Sequence, residues 1–206
     1  MKLLISCFFI MMFFLMFASH ALKPNITVQH FTQFSPASYL QTGDVVLRES
    51  KGILSSVFKN CSQKEKKYSH AGFIVKKEGK VCVAHYIDDG ESSGLKVESL
   101  NDFMNIGKCN SVGFYRFSLN KNQIIKLSQI IHSSVLHQLP FDEHFDLSTD
   151  NSYYCTEWIS KSLFDATGLI VPVTEIAGMK YIAPDNIYMN SFCSKIGEID
   201  NHKINY

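Results

Sequence analysis

Cys155 stands in Tyr153-Tyr154-Cys155-Thr156-Glu157-Trp158, where a polar, acidic stretch gives way to a helical pattern. A thiol at a helix start gains from the unpaired N–H groups and the positive end of the helix, both of which favour the thiolate. That is the setting of a cysteine nucleophile, which needs an imidazole to take its proton and later protonate the leaving group. Position alone fits a half-cystine or a buried structural thiol as well. Eight histidines compete for the role of base.

Hairpin register narrows them. Residues 70–75 and 81–87 are apolar and β-branched, with Lys76-Lys77-Glu78-Gly79-Lys80 between them as turn chemistry. A two-residue turn at Glu78-Gly79 sets His85 opposite Gly72 and His70 opposite Ile87, so His70 and His85 become diagonal neighbours on one face of the sheet. An odd-length turn would put them on opposite faces. The pairing suits a base oriented by a second polar group, with Gly72 leaving room beside them.

The other chemistry-bearing residues offer less. His132 and His137 read as helix-surface residues, and His144 in Asp142-Glu143-His144-Phe145-Asp146 lacks the spacing of a calcium loop or a paired-histidine metal site. Cys82 and His85 form a lone C-x-x-H on a strand, where alternation sends the two side chains to opposite faces. No metal and no cofactor is expected. The chain has no G-x-S-x-G, H-E-x-x-H, P-loop or G-x-G-x-x-G pattern, which removes the common serine-hydrolase, zinc-protease and nucleotide-binding readings.

The positioning elements follow from patterning. With 206 residues, 46% of them hydrophobic, and 20 basic against 19 acidic groups, the chain has the means for one folded domain. It has no polyelectrolyte character that would grip nucleic acid. Residues 44–47 read as a buried strand after Thr42-Gly43, residues 50–60 as a short helix, and 112–117 as another strand. Ser99 caps a short helix through Phe103. Ile124, Leu127, Ile131 and Val135 recur at helical spacing between a cap at Asn120 and a stop at Pro140. From Cys155 a second helix carries Trp158, Ile159, Ser162, Leu163 and Ala166 on one side and ends at Gly168. Lys64-Glu65-Lys66-Lys67 reads as a solvated loop.

Lys2, an apolar run over residues 3–17 and the small residues Ser19 and Ala21 read as a secretory signal cleaved after Ala21. As a retained anchor the run falls short, since fifteen helical residues span about 23 Å against a hydrocarbon core of roughly 30 Å. Cleavage leaves five cysteines, Cys61, Cys82, Cys109, Cys155 and Cys193, so in an oxidising compartment at least one thiol stays free or pairs outside the molecule. A free Cys155 leaves four others that either form two bridges or remain reduced.

The ordered set Gly43-Asp44-Val45-Val46, Ser69-His70-Ala71-Gly72-Phe73-Ile74-Val75, Phe141-Asp142 with Phe145, Tyr154-Cys155-Thr156-Glu157 and Ala183-Pro184-Asp185-Asn186 resembles the permuted NlpC-like amidases of the YaeF/YiiX type, a branch of the papain-like cysteine hydrolases. The resemblance covers residues 40–192. It implies an α+β, circularly permuted papain-like fold, with an antiparallel sheet packed against helices. The domain plan is a signal peptide over 1–21, an irregular segment over 22–40 and a catalytic domain over 41–206. Cys155 is implied as nucleophile and His70 as general base. The family's polar third residue, often a glutamate on the strand after the histidine strand, is here His85; Asp88, Asp89 and Glu91 are alternative carboxylates. The amide of Cys155 is a candidate oxyanion donor, and Tyr154 and Asp44 are carried as candidate oxyanion or substrate contacts. Glu157 is expected to anchor the helix start.

The implied activity is that of a secreted or periplasmic cysteine hydrolase that cleaves an amide bond, in a cell-wall peptide or another N-acyl compound, through an acyl-enzyme. Lipid acyl transfer on the same nucleophile, as in the similar lecithin:retinol acyltransferase-like branch, is the related alternative. A binding module that has lost catalysis is the alternative from another class. No nucleic-acid partner and no membrane span after signal cleavage are expected.

Overall fold

Glu78 and Gly79 both take positive φ, 51° and 77°, the two-residue hairpin turn whose twist matches its flanking strands. In the computed structural model, which describes residues 36–201, that turn joins β2 (His70–Lys77) to β3 (Lys80–Asp88). Their antiparallel register runs from Lys77 opposite Lys80 to Phe73 opposite Ala84, the even-turn register expected from the sequence. The expected signal peptide over 1–21 and most of the segment over 22–40 lie outside the described residues.

Six strands form one antiparallel sheet. Besides β2 and β3 it contains β1 (Val45–Ser50), β4 (Ser93–Ser99), β5 (Cys109–Phe117) and β8 (Cys193–Asp200), in the order β4-β3-β2-β1-β5-β8. The edge strands β4 and β8 were not anticipated. A separate two-stranded ribbon pairs β6 (Thr174–Ile176) with β7 (Met179–Tyr181).

Alternation along the strands builds two cores. One face carries Val45, Leu47, Ala71, Phe73, Ala84 and Tyr86, and it buries them against the long helices α3 (Lys121–His137) and α4 (Cys155–Thr167). Trp158 of α4 lies edge-on to Phe73 and Tyr86, with ring centroids 5.1 and 5.4 Å away, and its indole N–H donates to Ser134 Oγ of α3 at 3.1 Å. The opposite face carries Val46, Ile74, Val83, Val112 and Phe114, covered by Leu40 and the short helix α2 (Leu100–Phe103). Burial on both faces explains why the strands read as continuous apolar runs.

The caps are those the sequence signals. Asn120 accepts the Gln123 N–H while Gln123 Oε1 accepts the Asn120 N–H, a reciprocal box that starts α3 and contributes about 1 kcal/mol. Ser99 Oγ accepts the Asp102 N–H at the start of α2. Gly168, at φ 75°, ends α4. The helix α3 stops at His137, before Pro140, because Gln138 adopts the left-handed conformation. The early helix α1 spans Ile53–Cys61, and Pro184–Tyr188 forms α5.

Candidate active site

Cys155 is the first residue of α4, and the residues on either side hold it in place. The backbone N–H of Ile182 donates to the Tyr154 hydroxyl at 2.8 Å, and the carbonyl of Ile182 accepts from the Thr156 hydroxyl at 2.6 Å. One residue downstream of β7 is therefore gripped from both flanks of the cysteine. Glu157, fully buried, accepts the Tyr154 N–H at 3.3 Å and pairs with Lys161 at 3.1 Å, the anchoring role expected of it. Asp185 of α5 accepts the N–H groups of Gln63 and Lys64 at 2.8 and 2.7 Å, so the loop after α1 is tied to the same region.

The Cys155 side chain is half-buried. Burial raises its thiol pKa, and the opposing influences are, in order, the N–H of Ala71, the N–H groups of Thr156 and Cys155, and the Thr156 hydroxyl. The helix-start amides thus act on the sulfur as the sequence suggests, but desolvation outweighs them, so the net direction is away from a resting thiolate. Ala71, whose amide is the first of those influences, is the residue after His70 on β2.

His70 opens β2 and is likewise half-buried. Its Nε2 lies 2.7 Å from Nδ1 of His85, with the rings nearly perpendicular and their centroids 4.9 Å apart. Gly72 allows this approach. A Cβ there would stand 2.7 Å from the Ala84 carbonyl oxygen and 2.9 Å from the Cβ of His85. Phe103 of α2 closes over both histidines, with ring centroids 5.9 and 5.2 Å from theirs.

Behind them lies a charged group that the sequence did not disclose. His85, fully buried, has Nε2 3.3 Å from Oε1 of Glu98 on β4. The same oxygen lies 3.7 Å from Nη1 of Arg48, while Oε2 lies 3.6 Å from Nζ of Lys108. Arg48 donates to the Phe103 carbonyl at 3.0 Å and lies over the Phe103 ring, 4.4 Å from its centroid. Burial opposes ionisation of Glu98, but its contact with His85 and the charges of Lys108 and Arg48 bring its pKa down to about 2. Burial lowers the pKa of both histidines, and Arg48 lowers them further; at His85 the nearby Glu98 carboxylate offsets part of this.

Other sequence-stated candidates fall elsewhere. Asp88 ends β3, and Asp89 and Glu91 lie in the β3–β4 connection, where Asp89 accepts the N–H groups of Glu91 and Ser92 and pairs with Lys96. The carboxylate beside His85 is Glu98 instead. Alternation of Leu95 and Val97 with Lys96 and Glu98 was the available signal for its strand. Asp44 is buried and has both carboxylate oxygens engaged by Arg116, at 2.6 and 2.7 Å, with Gln41 N–H as a third donor. Tyr154 is only 3% exposed and its hydroxyl oxygen is committed to Ile182. Asp44 and Tyr154 thus brace the frame through these bonds. His132, His137 and His144 are exposed. The five described cysteines are all free thiols, which corrects the two-bridge option. Among the described residues no group of three or more His, Cys, Asp or Glu is arranged to hold a metal ion.

Comparison with known proteins agrees with this architecture. The crystal structure of the metalloprotein yiiX from Escherichia coli O157:H7 is similar in fold, with a TM-score of 0.64 and 18% identity, covering 77% of this chain and 97% of that one. No curated protein matches. A family model described as "permuted papain-like amidase enzyme, YaeF/YiiX, C92 family" matches residues 39–196, a span that runs from the end of the N-terminal segment into β8 and includes His70 before Cys155. The chain therefore belongs to the C92 family of permuted papain-like amidases, an enzyme family.

Proposed function

We propose that this protein is an exported cysteine amidase in which Cys155 is the nucleophile and His70 the general base and acid. The observation that supports this reading is that the helix opened by Cys155 packs on the strand opened by His70, whose ring is oriented by His85 at 2.7 Å. The substrate is an amide-linked acyl or peptidyl group, as in a cell-wall peptide or an N-acyl compound.

In the resting site burial favours the neutral thiol and the neutral imidazole. As sulfur attacks the carbonyl carbon, its proton passes to His70 and the carbonyl π electrons move to oxygen. The Cys155 N–H is the proposed donor to that oxyanion. Collapse of the tetrahedral adduct breaks the C–N bond, and His70 returns the proton to the departing amine. Water then attacks the thioester while His70 accepts a proton from it, and the acid leaves as that proton returns to sulfur. The yiiX structure is described as a metalloprotein. No step proposed for this chain runs through a metal. Residues 1–21 serve as a cleaved signal, and among the described residues no helix is long and apolar enough to cross a membrane.

Incubation with a cell-wall peptide digest or an N-acyl peptide, followed by peptide mapping, tests the reading. The expected result is an acyl or peptidyl thioester on Cys155 and loss of amide cleavage in Cys155→Ser. Undiminished cleavage in that variant would refute the nucleophile. A fatty acyl group on Cys155 after exposure to phospholipid vesicles, with no amide cleavage, would assign lipid acyl transfer instead.

A further inference from the structure

The proposed base His70 and the two side chains behind it, His85 and Glu98, form a line with one chemical direction. Nε2 of His85 is buried, makes no aligned hydrogen bond and lies 3.3 Å from Oε1 of Glu98, an anion that can only accept; a lone pair facing it would be repelled, so a neutral His85 carries its hydrogen on Nε2. Nδ1 of His85 is then a lone pair. Because His70 Nε2 is 2.7 Å from that lone pair, His70 must carry its hydrogen on Nε2 and donate it. This leaves Nδ1 of His70 without a hydrogen, and none of the hydrogen bonds among the described residues takes it up.

We infer that Glu98 is a positioning residue for catalysis: acting through His85, it fixes the tautomer of His70 so that Nδ1, not Nε2, is the lone pair available to the Cys155 thiol. The inference rests on the proposed Cys155–His70 pair. When the thiol gives up its proton, the S–H electron pair stays on sulfur and a new N–H bond forms at Nδ1 of His70. Nothing else in the line need change, since both rings already carry their hydrogens on Nε2.

The surrounding charges fit a neutral His85 better than a cationic one. Arg48 from β1 and Lys108 from the segment before β5 already flank the Glu98 carboxylate, and Lys96 of β4 is a further positive influence on His85. His70 on one side and Glu98 on the other leave His85 one acceptor and one donor, which a neutral ring satisfies. Phe103 and the sheet exclude the water that would otherwise let His85 flip tautomer at little cost.

Nitrogen-15 NMR of histidine-labelled wild-type protein near pH 7 tests the line without any substrate. The expected spectrum shows His70 and His85 both neutral and both protonated at Nε2; a hydrogen on Nδ1 of either neutral ring, or a cationic His85, would overturn the inference. In Glu98→Gln the carboxamide can donate to His85 Nε2, and the expected result is a reversed line with both rings protonated at Nδ1. Alkylation of Cys155 by iodoacetamide at pH 7, read on the Cys155 peptide, should then slow by roughly 10-fold or more. His85→Gln, which keeps one acceptor and one donor, should retain most of the rate, while His85→Leu should not. Unchanged tautomers and rate in Glu98→Gln would remove Glu98 from the mechanism and leave the cysteine amidase reading standing. Alkylation of Cys155 indifferent to His70→Ala would instead remove the catalytic pair itself.

Discussion

Nε2 of His70 and Nδ1 of His85 lie 2.7 Å apart although fifteen positions separate the residues in the chain. The approach is a product of strand parity. Glu78 and Gly79 make a turn of two residues, so every second residue of β2 and β3 shares a face, and the two rings become diagonal neighbours. The contact has a consequence for ionisation, because a proton added to either ring is added beside Arg48 and away from water.

His70 should therefore remain neutral well below pH 6.5. Burial is the main cause, followed by Arg48 and His85. Since the neutral ring is the proton acceptor, the acid limb of amide cleavage should fall below pH 6.5. The folded state binds fewer protons at His70 than the unfolded chain, so this group's contribution to stability is full above pH 6.5 and declines as the pH falls beneath it. An NMR titration of the His70 ring checks the first point. A midpoint at or above 6.5 would contradict it.

Gly72→Ala should disturb the same contact from the backbone side. The added methyl would stand 2.7 Å from the Ala84 carbonyl oxygen, a group that cannot swing aside as a flexible side-chain tip can. The expected cost is about 1–3 kcal/mol, as for other overpacked interiors, and His85 must shift because its Cβ lies 2.9 Å from the new atom. Urea unfolding measures the first effect. A changed iodoacetamide rate at Cys155 in the folded variant measures the second, and a variant as stable and as reactive as the parent would show that the sheet has more slack than its geometry indicates.

Glu157 gives stability a pH dependence of opposite sign. Its pKa is raised to about 7, with burial outweighing the Lys161 contacts and the Tyr154 N–H. A carboxyl that holds its proton more firmly when folded stabilises fully below its unfolded value of 4.5 and loses that contribution as pH rises toward 7. The size is at most about 3 kcal/mol. Because His70 and His85 act in the other direction, the diagnostic quantity is the difference between parent and Glu157→Gln. In urea unfolding at pH 5 and pH 8, the parent should lose stability relative to the variant as pH rises. A difference that does not vary with pH would refute the raised pKa.

Sequence carried the site as far as local rules reach. The parity of the Glu78-Gly79 turn, the cap at Asn120, the helix start at Cys155 and the pairing of His70 with His85 each depend on neighbours in the chain or on one tight turn. Glu98 was out of reach because its partnership needs β4 to return along β3 after an irregular connection, whose length does not fix register as a two-residue turn does. The carboxylates nearest in sequence, Asp88 at the end of β3 and Asp89 and Glu91 in that connection, are the ones local rules offer. Asp44 was misleading for a related reason: its motif marks the start of β1, but its partner Arg116 lies 72 positions away on β5. The burial of the thiol was out of reach on a third ground, since helix-end electrostatics can be read from a sequence whereas desolvation depends on what covers the sulfur.

The grip of Tyr154 and Thr156 on a single downstream residue makes the cysteine's coordinates a property of two distant stretches of chain. Ile182 follows directly on a small ribbon whose Ile176 and Met179 are exposed to solvent. The peptide unit at Ile182 is thus a direct hydrogen-bonded tie between that ribbon's end and the first turn of α4. Where the sulfur sits thereby depends in part on a stretch of chain that carries no chemistry of its own.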